Sequence, residues 1–130
     1  MAQAKGPLTD PAYREALDYG HRESRAEGID AVLQKYRLDA LVAPTQGPPG
    51  LIDLVNGDAG NGGGSITPLA AVAGYPHITV PAGYVFGLPV GLSFIGTAWS
   101  EPTLLRLAYA YEQASRVRTP PRFLPTAVLT

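Results

Sequence analysis

Cysteine is absent from this sequence of 130 residues, which excludes both a disulfide framework and a thiolate nucleophile. Charge is also scarce: 16% of the residues are charged, the net charge is −1 and no basic run occurs. Because phosphate binding requires clustered lysine and arginine, nucleic acid is not an expected partner. No apolar stretch approaches the roughly 20 residues that span a bilayer, so we expect no membrane partner either.

Residues 1–7 lack the apolar centre of a secretory signal peptide, which favours a cytoplasmic location, although a targeting signal further upstream would not be visible here. What the sequence does contain is 45% hydrophobic residues, too many for an intrinsically disordered chain. Its length predicts a single domain over residues 1–130. The 15 glycines and 13 prolines are most frequent between Pro44 and Gly96, which predicts a loop-rich middle between two helical ends.

The longer helical patterns lie at the two ends of the chain. Asp10 and Pro11 are typical of a helix start, and apolar residues recur at helical spacing as far as residue 36. We expect Gly28 to break this region, over residues 10–36, into two helices. Another start signal at residue 100 precedes helical periodicity over residues 101–116. After it, an extended tail packed by Phe123 and Leu124 is expected.

Three short apolar runs in the middle predict strands over residues 39–43, 77–80 and 90–95. A helix predicted over residues 66–73 separates the first two strands, so we expect those to be parallel neighbours joined by a right-handed crossover. The second and third strands are close enough in sequence to form a hairpin. Together these elements predict an α/β fold with a small mixed sheet of about three strands and flanking helices over residues 39–96 and beyond.

No local motif identifies a catalytic, cofactor or metal site. The glycine cluster over residues 60–65 matches neither the dinucleotide fingerprint nor the P-loop, and is typical of a flexible surface loop. His21 and His77 stand apart from each other and from any cysteine, so no metal site is expected. A Ser-His-Asp triad can be assembled on paper from Ser65, His77 and Asp53, but nearly any chain offers such a trio. We therefore predict no cofactor and assign no catalytic residue.

The aperiodic segment over residues 46–65 is the candidate for ligand contact. Structureless loops longer than about 12–15 residues are uncommon in compact domains, and they are usually functional or disordered. The segment contains Asp53, Asn56 and Asp58, whose spacing does not fit a calcium loop. Two interpretations of these side chains stay open: they cap local turns, or they contact a ligand.

The order of several segments resembles the C-terminal region of the amidase signature family. These segments are Leu38–Thr45, Ala70–Pro76, Ile78–Gly83, Gly87–Gly91 and Phe94–Gly96. The last helix, with Tyr111 and Glu112 followed by Arg118 and Pro121, resembles the closing helix of that family. Each segment is a weak signal, but five of them in the family's order make the resemblance specific.

The resemblance implies that this chain is the C-terminal fragment of a larger α/β/α fold that hydrolyses carboxylic amides. In that family two serines and a lysine carry the reaction, without metal or cofactor, and they lie in the N-terminal and central regions. None of them can be assigned here, and the contexts of Lys5 and Lys35 are unlike that of the family's lysine. The loop that contains residues 45–49 and 53–58 also resembles a branch of the family that includes peptide amidases and related hydrolases of small amides. This resemblance implies that Thr45, Asp53, Asn56 and Asp58 contact the substrate.

Two functional interpretations follow. In the first, the chain is part of an enzyme that cleaves a small amide substrate and needs a missing N-terminal amidase half, so the chain alone is inactive. In the second, it is a non-catalytic interaction or relic module that folds alone as a homo-oligomer. A dimer across a sheet edge or an uncovered sheet face is the expected form, because isolated apolar strands invite pairing with another chain. A cryptic hydrolase with a new triad is a third alternative.

Overall fold

A computed structural model of the protein describes residues 6–50, 54–55, 57, 64–121 and 123. The elements are helix α1 (Pro11–Ser24), a π-helical segment (Arg25–Ile29), helix α2 (Asp30–Tyr36), strand β1 (Leu41–Pro44), helix α3 (Thr67–Ala73), strand β2 (His77–Val85), strand β3 (Leu88–Ile95) and helix α4 (Glu101–Ser115). They form an α/β fold in which one three-stranded sheet lies between helices. The predicted fold class is thereby confirmed.

Helix α1 begins where the sequence predicts. The Asp10 side chain accepts a hydrogen bond from the backbone N–H of Ala12 at 2.9 Å, and Pro11 occupies the first turn. The predicted break at Gly28 is wrong, because the chain passes through the π-helical turn and continues into α2. A Cβ atom at Gly28 would lie 2.5 Å from the carbonyl oxygen of Glu23. The glycine therefore permits the close approach of this turn instead of ending the helix.

The sheet has the strand order β1-β3-β2, with both outer strands antiparallel to β3. The predicted hairpin between β2 and β3 is confirmed. The expectation of a mixed sheet with β1 beside β2 is wrong: these strands run in the same direction, but β3 lies between them. The reason is that the short turn pairs β3 with β2 first along the chain, which leaves the other edge of β3 for β1.

Strand β2 extends further than the sequence predicts. It continues past Pro81 as far as Val85, with a bulge between Pro81 and Gly83. A proline has no N–H to donate to a neighbouring strand, so the sequence predicted that the strand would end at residue 80. Because β2 is an outer strand of this sheet, and because the proline adjoins a bulge, the ladder tolerates it.

The two faces of the sheet are covered by different helices. On one face Ile95 is fully buried against the π-helical segment, α2 and α3, through Ile29, Leu33, Ala70 and Ala73. On the other face Val80 and Phe94 pack against Leu104 and Ala108 of α4. Neighbouring residues of β3 thus serve opposite cores, as the two-residue period of a strand requires.

A short polar network connects the start of α2 to the residues just before β2 and just after β3. The Tyr75 hydroxyl donates a hydrogen bond to Oδ2 of Asp30 at 2.6 Å, and the Thr97 hydroxyl donates to Oδ1 of the same carboxylate at 2.6 Å. Burial, and then the Asp30 carboxylate, raise the pKa of the Tyr75 hydroxyl above its usual value. The phenol consequently stays protonated and keeps donating at neutral pH.

Helices α3 and α4 match their predictions to within a residue, and each ends in a left-handed residue, Gly74 and Arg116 respectively. The tail prediction is wrong for Phe123, whose side chain is 89% exposed, while Leu124 lies outside the described residues. Before that point the chain is held at Thr119 by a hydrogen bond with the Tyr84 hydroxyl. Among the described residues no helix has the length and apolar character needed to cross a bilayer.

The hairpin turn provides a test of this backbone. Phe86 and Gly87 both have positive φ, 52° and 73°, as a two-residue type I′ turn requires. Asparagine tolerates this conformation better than phenylalanine, and the Phe86 ring is 70% exposed. We predict that Phe86→Asn raises the free energy of unfolding by about 1 kcal/mol in urea denaturation. Phe86→Ala, which removes the ring but keeps the unfavourable φ, is the control; an asparagine variant no more stable than this alanine variant would contradict the turn assignment.

Candidate functional site

Thr45 follows the last residue of β1 and is fixed by its backbone on both sides. Its N–H donates a hydrogen bond to the carbonyl of Gly91 at 2.8 Å, and its carbonyl accepts one from the N–H of Ile66 at 3.1 Å. The first bond extends the pairing of β1 with β3 by one residue, and the second connects this strand end to the start of α3. The backbone of Thr45 is therefore held in place where the long loop begins.

The Thr45 side chain belongs to a compact group of hydroxyls and one imidazole on the sheet face that also carries Ile95. The group consists of Thr45, His77, Thr79 and Ser93, and is called the hydroxyl cluster below. The Ser93 hydroxyl is at its centre: it lies 2.8 Å from Oγ1 of Thr45, 3.2 Å from Oγ1 of Thr79 and 2.6 Å from Nε2 of His77. Ser93 is fully buried, and these partners satisfy a polar group that burial would otherwise penalise.

The strand register explains why these residues meet. Thr79 of β2 and Ala43 of β1 are both directly opposite Ser93 of β3, and His77 precedes Thr79 by two residues on the same face. Thr45 follows Ala43 by the same spacing. Gly91 gives the cluster room, since a Cβ atom there would lie 2.6 Å from Cγ2 of Thr79 and 2.7 Å from Oγ1 of Thr45.

A second pair of hydroxyls extends the polar surface toward α3. The Ser65 hydroxyl lies 3.2 Å from the Thr45 carbonyl and 2.8 Å from Oγ1 of Thr67. The backbone N–H of Thr67 donates to the same Ser65 oxygen at 3.2 Å. Polar groups are thus continuous from His77 across the strands to the start of α3.

This arrangement offers hydrogen-bond donors and acceptors but no exposed nucleophile at its centre. Ser93 is inaccessible, and its hydroxyl is shared among three partners. The triad drawn on paper is not assembled in the described residues, because His77 bonds Ser93 and Thr79 while Ser65 bonds Thr45 and Thr67. The described ranges also contain no group of three or more His, Cys, Asp or Glu side chains placed to hold a metal ion.

Of the four residues predicted to contact substrate, the structure places only Thr45. Asp53, Asn56 and Asp58 lie outside the described residues, so their role stays a prediction. The sequence did not single out Thr79 or Ser93 as site residues, and it offered His77 only as a metal ligand or as a member of a triad. The available signal was polar residues at alternate positions of an otherwise apolar strand, which shows that one sheet face changes from apolar to polar.

Ser93 provides a direct test of the cluster. We predict that Ser93→Ala lowers the free energy of unfolding by about 1–3 kcal/mol, because His77 and Thr45 lose a buried partner. Ser115→Ala is the matched control: its Oγ is buried and has no hydrogen-bond partner among the described residues, so removing it should not destabilise the protein. Equal losses in the two variants, measured by urea denaturation, would contradict the cluster's contribution.

Comparison with known proteins places this geometry in a family. A family model described as Amidase matches residues 3–105. Over 104 residues the chain is 36% identical to a probable amidase of Arabidopsis thaliana, a match that covers 79% of this chain and 17% of the relative. The crystal structure of the native peptide amidase of Stenotrophomonas maltophilia superposes with a TM-score of 0.83 at 51% identity, over 94% of this chain and 24% of that one.

An amidase family protein of Bacillus anthracis superposes with a TM-score of 0.69 at 32% identity, over 94% of this chain and 21% of that protein. The chain therefore spans about a fifth of the length of the relatives it matches. The match nevertheless covers most of this chain, including all three strands and the residues of the hydroxyl cluster. On these grounds the chain belongs to the amidase family of amidase-signature α/β hydrolases.

Proposed function

We propose that this chain supplies the C-terminal part of a hydrolase that cleaves carboxylic amide C–N bonds, and that its hydroxyl cluster forms part of the wall of the substrate cleft. The observation that carries the proposal is the position of Thr45. It stands at the end of β1, its side chain is held by Ser93, and the long loop begins directly after it. Strand ends followed by loops are the usual position of ligand contacts in α/β proteins.

The chemistry of the cluster suits a neutral, polar ligand. An amide group offers one carbonyl acceptor and N–H donors, and hydroxyls can serve both because each can donate and accept. Thr79 is exposed, so its hydroxyl is available to a ligand on the open side of the cluster. Asp53, Asn56 and Asp58 follow Thr45 in the same loop, and we propose that they extend this wall.

The bond-breaking groups come from elsewhere in this proposal. The sequence has two lysines, of which Lys35 lies on α2 with its ammonium 5.2 Å from the centre of the Tyr36 ring, while Lys5 is outside the described residues. In sequence, the contexts of both lysines differ from that of the family's catalytic lysine. The chain alone is therefore inactive, and an N-terminal amidase half supplies the nucleophile, its activating neighbours and the oxyanion donors.

A chimera tests this division of labour. The matching C-terminal quarter of the Stenotrophomonas maltophilia peptide amidase would be replaced by this chain, and hydrolysis of a peptide amide would be measured. We expect the chimera to be active, and the isolated chain to show no turnover above background. Within the chimera, Thr45→Val should lower kcat/KM by about tenfold, equivalent to about 1.4 kcal/mol of lost hydrogen bonding.

Thr45→Ser keeps the hydroxyl and should retain most of the activity, and Thr9→Val, at an exposed threonine before α1, controls for the loss of a hydroxyl elsewhere. A folded chimera without activity would contradict the enzyme proposal. If the serine and valine variants had equal activity, the proposed role of the Thr45 hydroxyl would be contradicted, but the enzyme proposal would not. Turnover by the isolated chain that one serine substitution abolishes would favour the cryptic hydrolase instead.

A second candidate is a non-catalytic module that associates with itself. It is supported by the sheet edges, since in the described residues β1 and β2 each pair on one side only. Val42 on β1 is 53% exposed, and α4 covers chiefly β2 and β3. An open, apolar strand edge of this kind invites pairing with a second copy.

We expect the isolated chain to sediment as a dimer at micromolar concentration. Val42→Lys would place a charge on the edge and should shift the chain toward monomer. Val72→Lys is the matched control, because Val72 on α3 is 54% exposed and lies away from the strand edges. A monomeric chain, or equal effects of the two lysines, would rule out association through β1.

A further inference from the structure

A cavity of about 420 Å³ lies where the chain enters β2 and leaves β3. Its size falls in the range of small-molecule sites. Its wall includes a cation, Arg25, an anion, Glu101, and two aromatic residues, Tyr75 and Trp99. Nothing in the proposed amidase role uses these residues.

Arg25 is held in place by three contacts that leave one nitrogen unused. Its Nε donates to the carbonyl of Ala73 at 2.6 Å, its Nη2 lies 3.3 Å from Nε2 of His21, and the guanidinium carbon lies 5.6 Å from the centre of the Tyr75 ring. Within the described residues Nη1 has no hydrogen-bond partner and Arg25 has no ion pair. A fixed guanidinium with one free edge is suited to binding a carboxylate.

Tyr75 provides a rigid aromatic surface below the guanidinium. Its hydroxyl is fixed by Asp30 at 2.6 Å. At Gly74, the preceding residue, a Cβ atom would lie 3.3 Å from Nη2 of Arg25, so a larger residue would press on the guanidinium. The cavity is therefore built from constrained groups.

Trp99 is the third component, and its backbone is unusual. It is the single tryptophan of the chain, its side chain is 88% exposed and its φ is 63°. The N–H of Ser100 bonds the carbonyl of Thr97, so Trp99 stands at the third position of a tight turn, where a positive φ normally selects glycine or asparagine. A bulky residue in this conformation is strained, and such strain is concentrated at ligand and catalytic sites.

Glu101, in the first turn of α4, is exposed and forms no ion pair within the described residues. The cavity thus has one unpaired charge of each sign. A simple anion would meet repulsion from Glu101 and a simple cation would meet repulsion from Arg25, whereas a molecule with both charges satisfies the two groups together.

We propose that this cavity binds a small zwitterion of the amino-acid type. Nη1 of Arg25 takes the carboxylate, the Glu101 carboxylate takes the ammonium, and an apolar side chain of the ligand packs on the indole of Trp99. Because none of the residues that line this cavity belongs to the hydroxyl cluster on which the amidase role depends, the two proposals can be tested independently.

Trp99 is itself the reporter for the test. Phenylalanine would be titrated into the purified chain while the emission of the single tryptophan is recorded. We expect a saturable change with phenylalanine. N-acetylphenylalanine, which lacks the ammonium, and phenylalaninamide, which lacks the carboxylate, should each bind more weakly than phenylalanine. Calorimetry with the same three ligands checks that the optical change reports binding.

Glu101→Gln keeps the shape of an exposed side chain and should weaken phenylalanine binding roughly two- to fivefold, as loss of an exposed ion pair does. In the Glu101→Gln variant, phenylalaninamide should bind most weakly of the three ligands, because it also lacks the carboxylate that Arg25 would bind. Arg22→Gln is the control, because Arg22 pairs with Glu23 and Glu27 outside the cavity and should not affect binding. The comparison of the three ligands uses the unmodified chain, so its result does not depend on whether a variant folds. Absence of a saturable change, equal binding of the three ligands, or equal effects of the two glutamine variants would each overturn the proposal.

Discussion

Strand β3 is the element on which the rest of this structure depends. It pairs on both sides, with β1 along residues 92–95 and with β2 along nearly its whole length. Its alternate residues serve opposite faces, so that Ile95 closes the core under α2 and α3 while Phe94 closes the core under α4. Helix α4 packs on β2 and β3, and the core around Ile95 joins α2 and α3 to the sheet.

The same strand creates the main polar requirement of the fold. Ser93 lies between the two apolar residues Leu92 and Phe94 and is fully buried. An unpartnered hydroxyl at that position would cost about 1–3 kcal/mol. Strand β2 supplies two partners, His77 and Thr79, and Thr45, the residue that follows β1, supplies a third. The hydroxyl cluster is thus a structural consequence of burying Ser93. We propose that it is also a source of ligand contacts, since Thr79 remains exposed at its margin.

The two proposed sites differ in how they depend on the rest of an amidase. The hydroxyl cluster offers hydrogen bonds but no accessible nucleophile at its centre. In our proposal the catalytic groups come from an N-terminal amidase half. The cavity beside Trp99 is formed entirely by described residues of this chain. Its charges are unpaired and its backbone is strained locally. In our proposals the first site contributes to a larger enzyme, whereas the second requires nothing beyond this chain.

Local sequence determined the helices at both ends, the α3 cap at Gly74 and the β2–β3 hairpin, because capping, periodicity and turn residues act over a few positions. The order of its segments also indicated the family. Tertiary structure decided what depends on distant partners. Pro81 stays in a strand because β2 is an outer strand of the sheet. His77, Thr79 and Ser93 meet only through the strand register. That register is a property of pairing between segments, and no single segment encodes it.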